Sequence, residues 1–297
     1  MNTANGFDFD YIQTSPWPIV RRPIVIAEIG INHNGSLEIA RKLIDMACEA
    51  GCDFVKFQKR TIDIVYTPEQ LALPRESPWG TTQREQKMGL EFGEQEYDEI
   101  DAYCRSKGIG WFASAWDIES LKFLRKYDLP YNKVASAMIT HLPFLEEVAG
   151  EGRPTFVSTG MSTYEQIDQA VEIFARHQCP IVLMHSVSEY PAPVEHLNLL
   201  TINSLRERYG LPVGYSGHET VMANVVNFAT LLGAVALERH ITLDRTMYGT
   251  DQSASLEQAG LKKMVAYVNF LPLILGDGVK RVTEEEEKVA KKLRYWE

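Results

Sequence analysis

The chain has 297 residues, of which 45% are apolar and 24% charged, and 30 Lys+Arg against 40 Asp+Glu leave a net charge of −10. That is ordinary globular usage, which excludes a disordered or fibrous chain. The acidic balance argues against nucleic acid as a partner, because a phosphate backbone needs a basic face. No run of about 18 apolar residues occurs, so no membrane span is expected. The opening MNTANGFDFDYIQTSPWPIVRRP lacks the basic-then-apolar layout of a secretory signal. Cys48, Cys52, Cys104 and Cys179 have no matching Cys or His pair for zinc, and read as thiols of a reducing cytoplasm. A prior of about 150 residues per domain suggests two domains, whereas an α/β barrel runs to about 250 as one.

Residues 1–22 hold no periodic pattern and read as an extension. From Pro23 onward, short apolar runs alternate with helical patterns. IVIAEIG (24–30) is a strand, and SLEIARKLIDMACEAG (36–51) is an amphipathic helix with Ser36 as N-cap and Gly51 as stop. FVKFQ (54–58) is the second strand. A long polar stretch around RESPWGTTQREQK then precedes the helix EQEYDEIDAYCRSKG (94–108). WFASAW, YNKVAS, TFVST, PIVLMHS, PVGYSG and VALERHI follow as strands, each with a helix after it, the last starting near Ser255. Strands buried on both faces read as continuous apolar runs, as these do. Eight such units in about 250 residues predict a (β/α)₈ TIM barrel. An open dinucleotide-binding sheet is the competitor, but no GxGxxG follows the first strand. The expected division is an extension (1–22), the barrel (23–280) and a charged C-terminal helix (281–297).

In such a barrel the C-terminal strand ends carry the active site. Here they read Glu28; Lys56 and Gln58; Ser114; Lys133 and Ser136; Ser158; His185 and Ser188; Ser216 and His218; Glu238 and His240. One polar strand end usually satisfies local backbone; eight converging ends point to a site. Lys56 and Lys133 sit among apolar neighbours, where a lysine is expensive without a compensating anion. With Ser114, Ser136, Ser158, Ser188 and Ser216 they form a cationic, hydroxyl-rich floor suited to a phosphate and a carboxylate. No Walker motif is present, which excludes a nucleotide cradle of that kind. His218 and His240 end neighbouring strands. A lone histidine is more often structural, but this pair, beside Glu238 and Asp251, weighs evenly between structure and one divalent ion with open positions. His33 and Asn34, in NHNG, read as a turn and helix cap, and His141, His177 and His196 carry no assignment. No GxSxG elbow supports a hydrolase. The closing TEEEEKVAKKLRYWE reads as a solvated helix with i,i+4 Glu–Lys pairs.

Over roughly residues 23–280 the chain resembles the sialic acid (N-acetylneuraminate) synthase family, through AEIGINHNG (27–35), VKFQ (55–58), YNKVAS (131–136), STGMST (158–163), HSVSEYPAP (185–193), GYSGH (214–218), ERHITLD (238–244) and TDQSASLE (250–257). The resemblance implies a transferase of carbohydrate and cell-surface polysaccharide biosynthesis. Such an enzyme condenses phosphoenolpyruvate with a sugar aldehyde, an N-acetylhexosamine or related aldose. The product is a 2-keto-3-deoxy acid of the nonulosonic type, and phosphate is released. It implies Lys56, Ser114, Lys133, Ser136, Ser158, Ser188 and Ser216 around phosphoenolpyruvate, and His218 and His240 around a divalent metal. Manganese comes first for that ion, with magnesium or cobalt as alternatives. Glu28, Gln58, Tyr190 and Asp251 would face the sugar. In the implied reaction the metal polarises the aldehyde oxygen, carbon 3 of phosphoenolpyruvate attacks, and water captures the cation at carbon 2. The lysines hold the anion, and Glu28 or Asp251 moves the proton.

Three departures stand out. The family's glycine and acidic residue after Ser136 are replaced by Ala137 and Met138. Ala113 and Ser114 replace a serine–threonine step, and Ala115–Trp116 replaces Pro–Phe. A barrel alone is expected, without the C-terminal antifreeze-like domain that lends an arginine to a partner's sugar site; a homodimer is the oligomer the resemblance allows. The 74–88 loop, with Arg75, Arg84 and Lys87, is either a source of the missing cationic contact, Arg84 foremost, or a lid or dimer surface. The alternatives are a synthase acting on a phosphorylated aldose, of the octulosonate or heptulosonate type, and a non-catalytic sugar-binding barrel.

Overall fold

A computed structural model describes residues 22–220 and 223–296. The expected extension lies outside the described residues except for Arg22, whose guanidinium pairs with Asp53 at 2.7 Å and donates to Asn269 at 2.7 Å. Among the described residues the strands are β1 (Ile24–Gly30), β2 (Phe54–Lys59), β3 (Pro74–Ser77), β4 (Gly80–Thr82), β5 (Gly110–Ala115), β6 (Asn132–Val134), β7 (Thr155–Ser158), β8 (Ile181–Ser186), β9 (Val213–Gly217) and β10 (Ala236–His240). Eight of them close a parallel barrel in the order β1-β10-β9-β8-β7-β6-β5-β2, and β3 and β4 form a separate antiparallel hairpin. The (β/α)₈ fold is therefore as expected. All seven residues of IVIAEIG are buried, which is why the run is apolar on both faces, apart from Glu28, rather than alternating.

The helices are α1 (Leu37–Ala50), α2 (Ile62–Val65), α3 (Pro68–Ala72), α4 (Gln83–Leu90), α5 (Glu94–Lys107), α6 (Ile118–Leu124), α7 (Leu142–Gly150), α8 (Tyr164–Arg176), α9 (Thr201–Tyr209), α10 (Ala223–Leu231), α11 (Gln258–Leu275) and α12 (Glu284–Leu293). Ser36 caps α1 by accepting the Ile39 N–H, and Gly51 ends it at φ +83°. None of these helices is long and apolar enough to cross a membrane.

Two readings change. YNKVAS shortens to a three-residue strand, after which Ser136–Met138 forms a 3₁₀ turn. The polar stretch after β2 is not a plain loop. It folds into α2, α3, the hairpin and α4, with capping boxes at Thr67/Gln70 and Thr82/Glu85. Close contacts tie it to the barrel and hold it together: a Cβ on Gly35, after β1, would stand 2.0 Å from the Gly89 carbonyl oxygen, and within the insertion one on Gly89 would stand 2.1 Å from the Trp79 ring.

Side chains on a strand alternate faces, so every second residue points into the barrel. The lower inward layer is aromatic, with Phe112 and Phe156 stacked at 5.8 Å between centroids and Tyr131 edge-on to Phe156 at 5.0 Å. Two residues further along the same strands stand Ser114, Ser158 and Lys133. The apolar plug ends where the polar floor begins.

Candidate active site

On the inward face at the C-terminal end, Lys56, Lys133, Glu28 and Glu238 meet above the aromatic layer, each at most 6% exposed. Register explains the meeting, since Glu28 is level with Lys56 on one side and His240 on the other, and Glu238 is level with Ser216. Lys56 Nζ lies 2.6 Å from Glu28 Oε2, 3.5 Å from Glu238 Oε1 and 3.0 Å from Ser114 Oγ. Lys133 Nζ lies 3.0 Å from Glu238 Oε2, and Ser216 Oγ donates to Glu238 Oε1 at 3.2 Å.

The charges set one another. Burial by itself raises a carboxyl, but Lys133 and Lys56 override it and hold Glu238 at about 2. Lys56 is raised, because the attraction of Glu238 and Glu28 exceeds its burial penalty. Lys133 is lowered by burial and by Lys56, which Glu238 only partly offsets. Of the two, Lys133 is the cation with more to gain from an arriving anion.

The four charged groups open onto a cavity of about 200 Å³, also lined by Ser114, Ser136, Ser158, Ser186, Ser188 and Ser216. Gly160 packs against two of these serines. Its N–H donates to Ser136 Oγ at 3.1 Å, and a Cβ there would stand 2.4 Å from Ser188 Oγ. The expected floor residues are thus together. His185 is not among them: it has outward parity, is buried, and its Nε2 lies 2.7 Å from the Leu197 carbonyl oxygen.

Above the floor, the His218 and His240 rings are 5.7 Å apart, and the Tyr190 ring lies 4.1 Å from His218. Burial and the neighbouring His240 push His218 down to about 3, so its imidazole is neutral. Its Nδ1 is 2.7 Å from the Val187 carbonyl oxygen, which fixes Nδ1–H as donor and leaves Nε2 with its lone pair free. His240 Nδ1 is buried without a hydrogen-bond partner. The neutral His218 imidazole and the His240 ring with its orphaned buried nitrogen form a donor set that fits one borderline divalent ion. Among the described residues no third His, Cys, Asp or Glu completes a ligand cluster, so the other positions would fall to substrate and water. Gly30, at φ +56°, lets the tips beside this pair converge. A Cβ on it would be 3.0 Å from Glu28 Oε1, 3.1 Å from Gln58 Nε2 and 3.3 Å from His240 Cε1.

A second cavity of about 220 Å³ adjoins the first, sharing Gln58, Trp116, Tyr190 and His240 with it. Asp251 lines this outer space and not the inner one. Arg84 lines neither: it is 42% exposed and pairs with Asp63 at 2.6 Å. Arg60 stands in the outer space instead, its guanidinium 4.1 Å above the Trp116 ring and bonded to Gln58 Oε1. Sequence reasoning passed over Arg60, Trp116 and Gly160. Arg60 and Trp116 carried a signal, because each stands two positions beyond an assigned residue, Gln58 and Ser114 respectively, and so keeps its parity. His33 has the structural role read for it: it stacks on Phe92 at 3.9 Å and its Nδ1 accepts the Gly35 N–H at 3.1 Å.

Known proteins match this chain along most of its length. The model of the NeuB family matches residues 43–280. The N-acetylneuraminate-9-phosphate synthase of Homo sapiens is 38% identical over 272 residues, 91% of this chain and 76% of that protein. The N,N'-diacetyllegionaminic acid synthase of Campylobacter jejuni is 32% identical over 275 residues, 91% of this chain and 82% of that protein. Among solved structures, an N-acetylneuraminic acid (sialic acid) synthetase from Leptospira borgpetersenii, in complex with citrate, matches with a TM-score of 0.79 and 30% identity over 93% of both chains. A truncated 3-deoxy-D-arabino-heptulosonate 7-phosphate synthase from Thermotoga maritima, 15% identical with a TM-score of 0.66, shares the fold. Matches of this extent leave one assignment: the chain belongs to the NeuB family.

Proposed function

We propose that the protein joins carbon 3 of phosphoenolpyruvate to the aldehyde carbon of a sugar, giving a 2-keto-3-deoxy acid of the sialic type and free phosphate. The observation that carries this reading is the inner cavity: two buried lysines share one buried glutamate beneath a rim of serine hydroxyls. Such a floor suits a small molecule bearing both a carboxylate and a phosphate, and its charged groups are already positioned before binding. The relatives named above make products of the corresponding class.

Lys56 and Lys133 hold the anionic ends of phosphoenolpyruvate, and Ser136 and Ser188 on either side of Gly160 donate to its oxygens. The new carbon–carbon bond leaves positive charge at carbon 2, where Glu28 and Glu238 are the nearest carboxylates. Water adds at carbon 2 and loses a proton while the alkoxide left on the former aldehyde oxygen takes one up; the carbon–oxygen bond to phosphate then breaks, the remaining hydroxyl proton leaving with the phosphate as the ketone forms. We assign the proton lost by the water to Glu28, which lies in the inner cavity, rather than to Asp251, which lies in the outer one. His218 and His240 would hold a divalent ion, manganese by preference, which supplies Lewis-acid polarisation of the aldehyde oxygen. Gln58, Tyr190 and Asp251 border the space left for the sugar. Four free cysteines and a phosphorylated metabolite as substrate fit a reducing cytoplasm.

The test is incubation with phosphoenolpyruvate, Mn²⁺ and a panel of N-acetylhexosamines, hexoses, pentoses and their phosphates. Released phosphate and product mass are the readouts. Silence across the whole panel, in folded protein, overturns the proposal.

A further inference from the structure

The segment that follows β8 serves the site at three points. The Val187 carbonyl oxygen lies 2.7 Å from His218 Nδ1, Ser188 lines the inner cavity, and the Tyr190 ring lies 4.1 Å from the His218 ring. Yet between residues 187 and 197 only Ala192 and Leu197 are buried, and the only regular structure is the 3₁₀ turn Val194–His196. Loops of this kind lack a hydrogen-bond ladder, so a few tethers decide where they lie.

Two tethers are buried at their inner ends. The Ala192 N–H donates to the His218 carbonyl oxygen at 3.1 Å, which ties the middle of the segment to the residue after β9. At the base, His185 Nε2 lies 2.7 Å from the Leu197 carbonyl oxygen, a buried bond across twelve positions of chain. A carbonyl only accepts, so His185 carries a proton on Nε2, and burial lowers its pKa and keeps the imidazole neutral. The Glu189–His196 pair, 3.0 Å apart, spans the same segment, but both side chains are about half exposed and such pairs contribute little.

We propose that His185 is a positioning residue: its bond to Leu197 closes the 187–197 segment into a clasp on His218, which sets the Val187 carbonyl and the Ser188 hydroxyl in place. Without that bond the segment gains the freedom of an open loop. A Val187 carbonyl that drifts no longer selects the Nδ1–H form of His218, and Nε2 then carries the proton in part of the population and loses its lone pair there. The inference rests on the metal and phosphoenolpyruvate assignments above, and one readout is chosen to be independent of them.

The experiment compares His185→Gln, whose side-chain amide keeps a donor for the carbonyl, with His185→Leu, which removes it. Binding of Mn²⁺ and of phosphoenolpyruvate is measured calorimetrically. The His218 tautomer is read in metal-free protein by NMR of the imidazole nitrogens, assigned against His218→Ala. In His185→Leu both dissociation constants should rise by about tenfold or more, and a second His218 tautomer should appear. His185→Gln should keep the constants and the single tautomer of the parent protein, and His196→Gln should change either constant by about twofold at most. Unchanged constants with a single tautomer in folded His185→Leu overturn the inference even where Tm falls, because the bond is then structural alone. Equal losses in His185→Gln and His185→Leu overturn it too, since the hydrogen bond is then not the cause. Where the leucine variant does not fold, His185→Asn, whose shorter amide falls short of the carbonyl, replaces it with the same two outcomes. If the parent protein binds neither ligand, the proposed reaction fails and the tautomer decides: mixing in His185→Leu upholds the clasp, and a single form overturns it as well.

Discussion

Replacing Gly160 with alanine puts one carbon against Ser136 and Ser188, two residues that line the inner cavity. The backbone there lies outside the left-handed region, so the main chain tolerates alanine. The new Cβ would, however, stand 2.4 Å from Ser188 Oγ and 2.8 Å from Ser136 Oγ, where neither hydroxyl can stay. Both sit on rotatable side chains and would swing off the phosphoenolpyruvate oxygens. A hydrogen bond to a charged group is worth about 1.5–3 kcal/mol, so losing one weakens binding by about 10- to 150-fold. Crowding the wall removes about 1–3 kcal/mol of stability, or about 2–4 °C of Tm per kcal/mol at this chain length. The assay pairs KM for phosphoenolpyruvate, from phosphate release, with a thermal melt. We expect KM to rise at least about tenfold while unfolding stays cooperative. Gly152→Ala is the control: φ is +64° and no atom lies within 4 Å of the added Cβ, so it strains the backbone far from the site and leaves KM alone. A folded Gly160→Ala protein with unaltered KM would refute the reasoning that places the anion between Ser136 and Ser188.

Three further outcomes are expected. The Glu219–Arg239 pair is fully buried, and Tyr215 OH donates to Glu219 Oε2 at 2.8 Å. Arg239→Met therefore strands a buried charge and loses about 3–5 kcal/mol in urea unfolding, most of which Glu219→Gln added to it restores. If the double variant is no better than the single one, the stranded charge is not the cause. Glu238 titrates at about 2 in the fold against an ordinary 4.5, so its stabilisation is present above pH 4.5 and lost as pH falls toward 2. Tm should drop through that window, and Glu238→Gln should flatten the drop; an unchanged slope would reject the assignment. Saturating Mn²⁺, at about 100 times its Kd, should stabilise the protein by about 2.7 kcal/mol, and His218→Ala or His240→Ala should abolish that gain; its persistence would move the ion elsewhere.

The barrel was legible because strands covered on both faces leave continuous apolar runs, and because caps such as Ser36 and Gly51 are local signals. The insertion after β2 was not legible. Its shape is set by contacts far apart in sequence, Gly35 against Gly89 and Trp79 against Tyr248 at 5.7 Å, which leave no period to read. The same cause displaced the cation assigned to the outer site. Arg84 looked available in the sequence, but tertiary placement gave it Asp63 and left Arg60 facing the cavity. His185 entered the strand-end set because proximity to the end was weighed without parity; one position along β8, Ser186 lines the cavity in its place.

This contrast has a chemical side. The inner floor combines Lys56 and Lys133 with Glu28 and Glu238, so its formal charges cancel before any ligand arrives. Its affinity for an anion then comes from geometry: lysines that cannot leave, and serine hydroxyls and a glycine turn held by neighbouring strands. Strand period fixes that geometry once the strand ends are located, and the continuous apolar runs locate them. The outer wall is built differently: Arg60 and Lys87 line it without an ion pair of their own among the described residues, and the folded insertion brings them together. Which charges remain without an ion-pair partner is a property of the tertiary structure, and no pattern along the chain displays it.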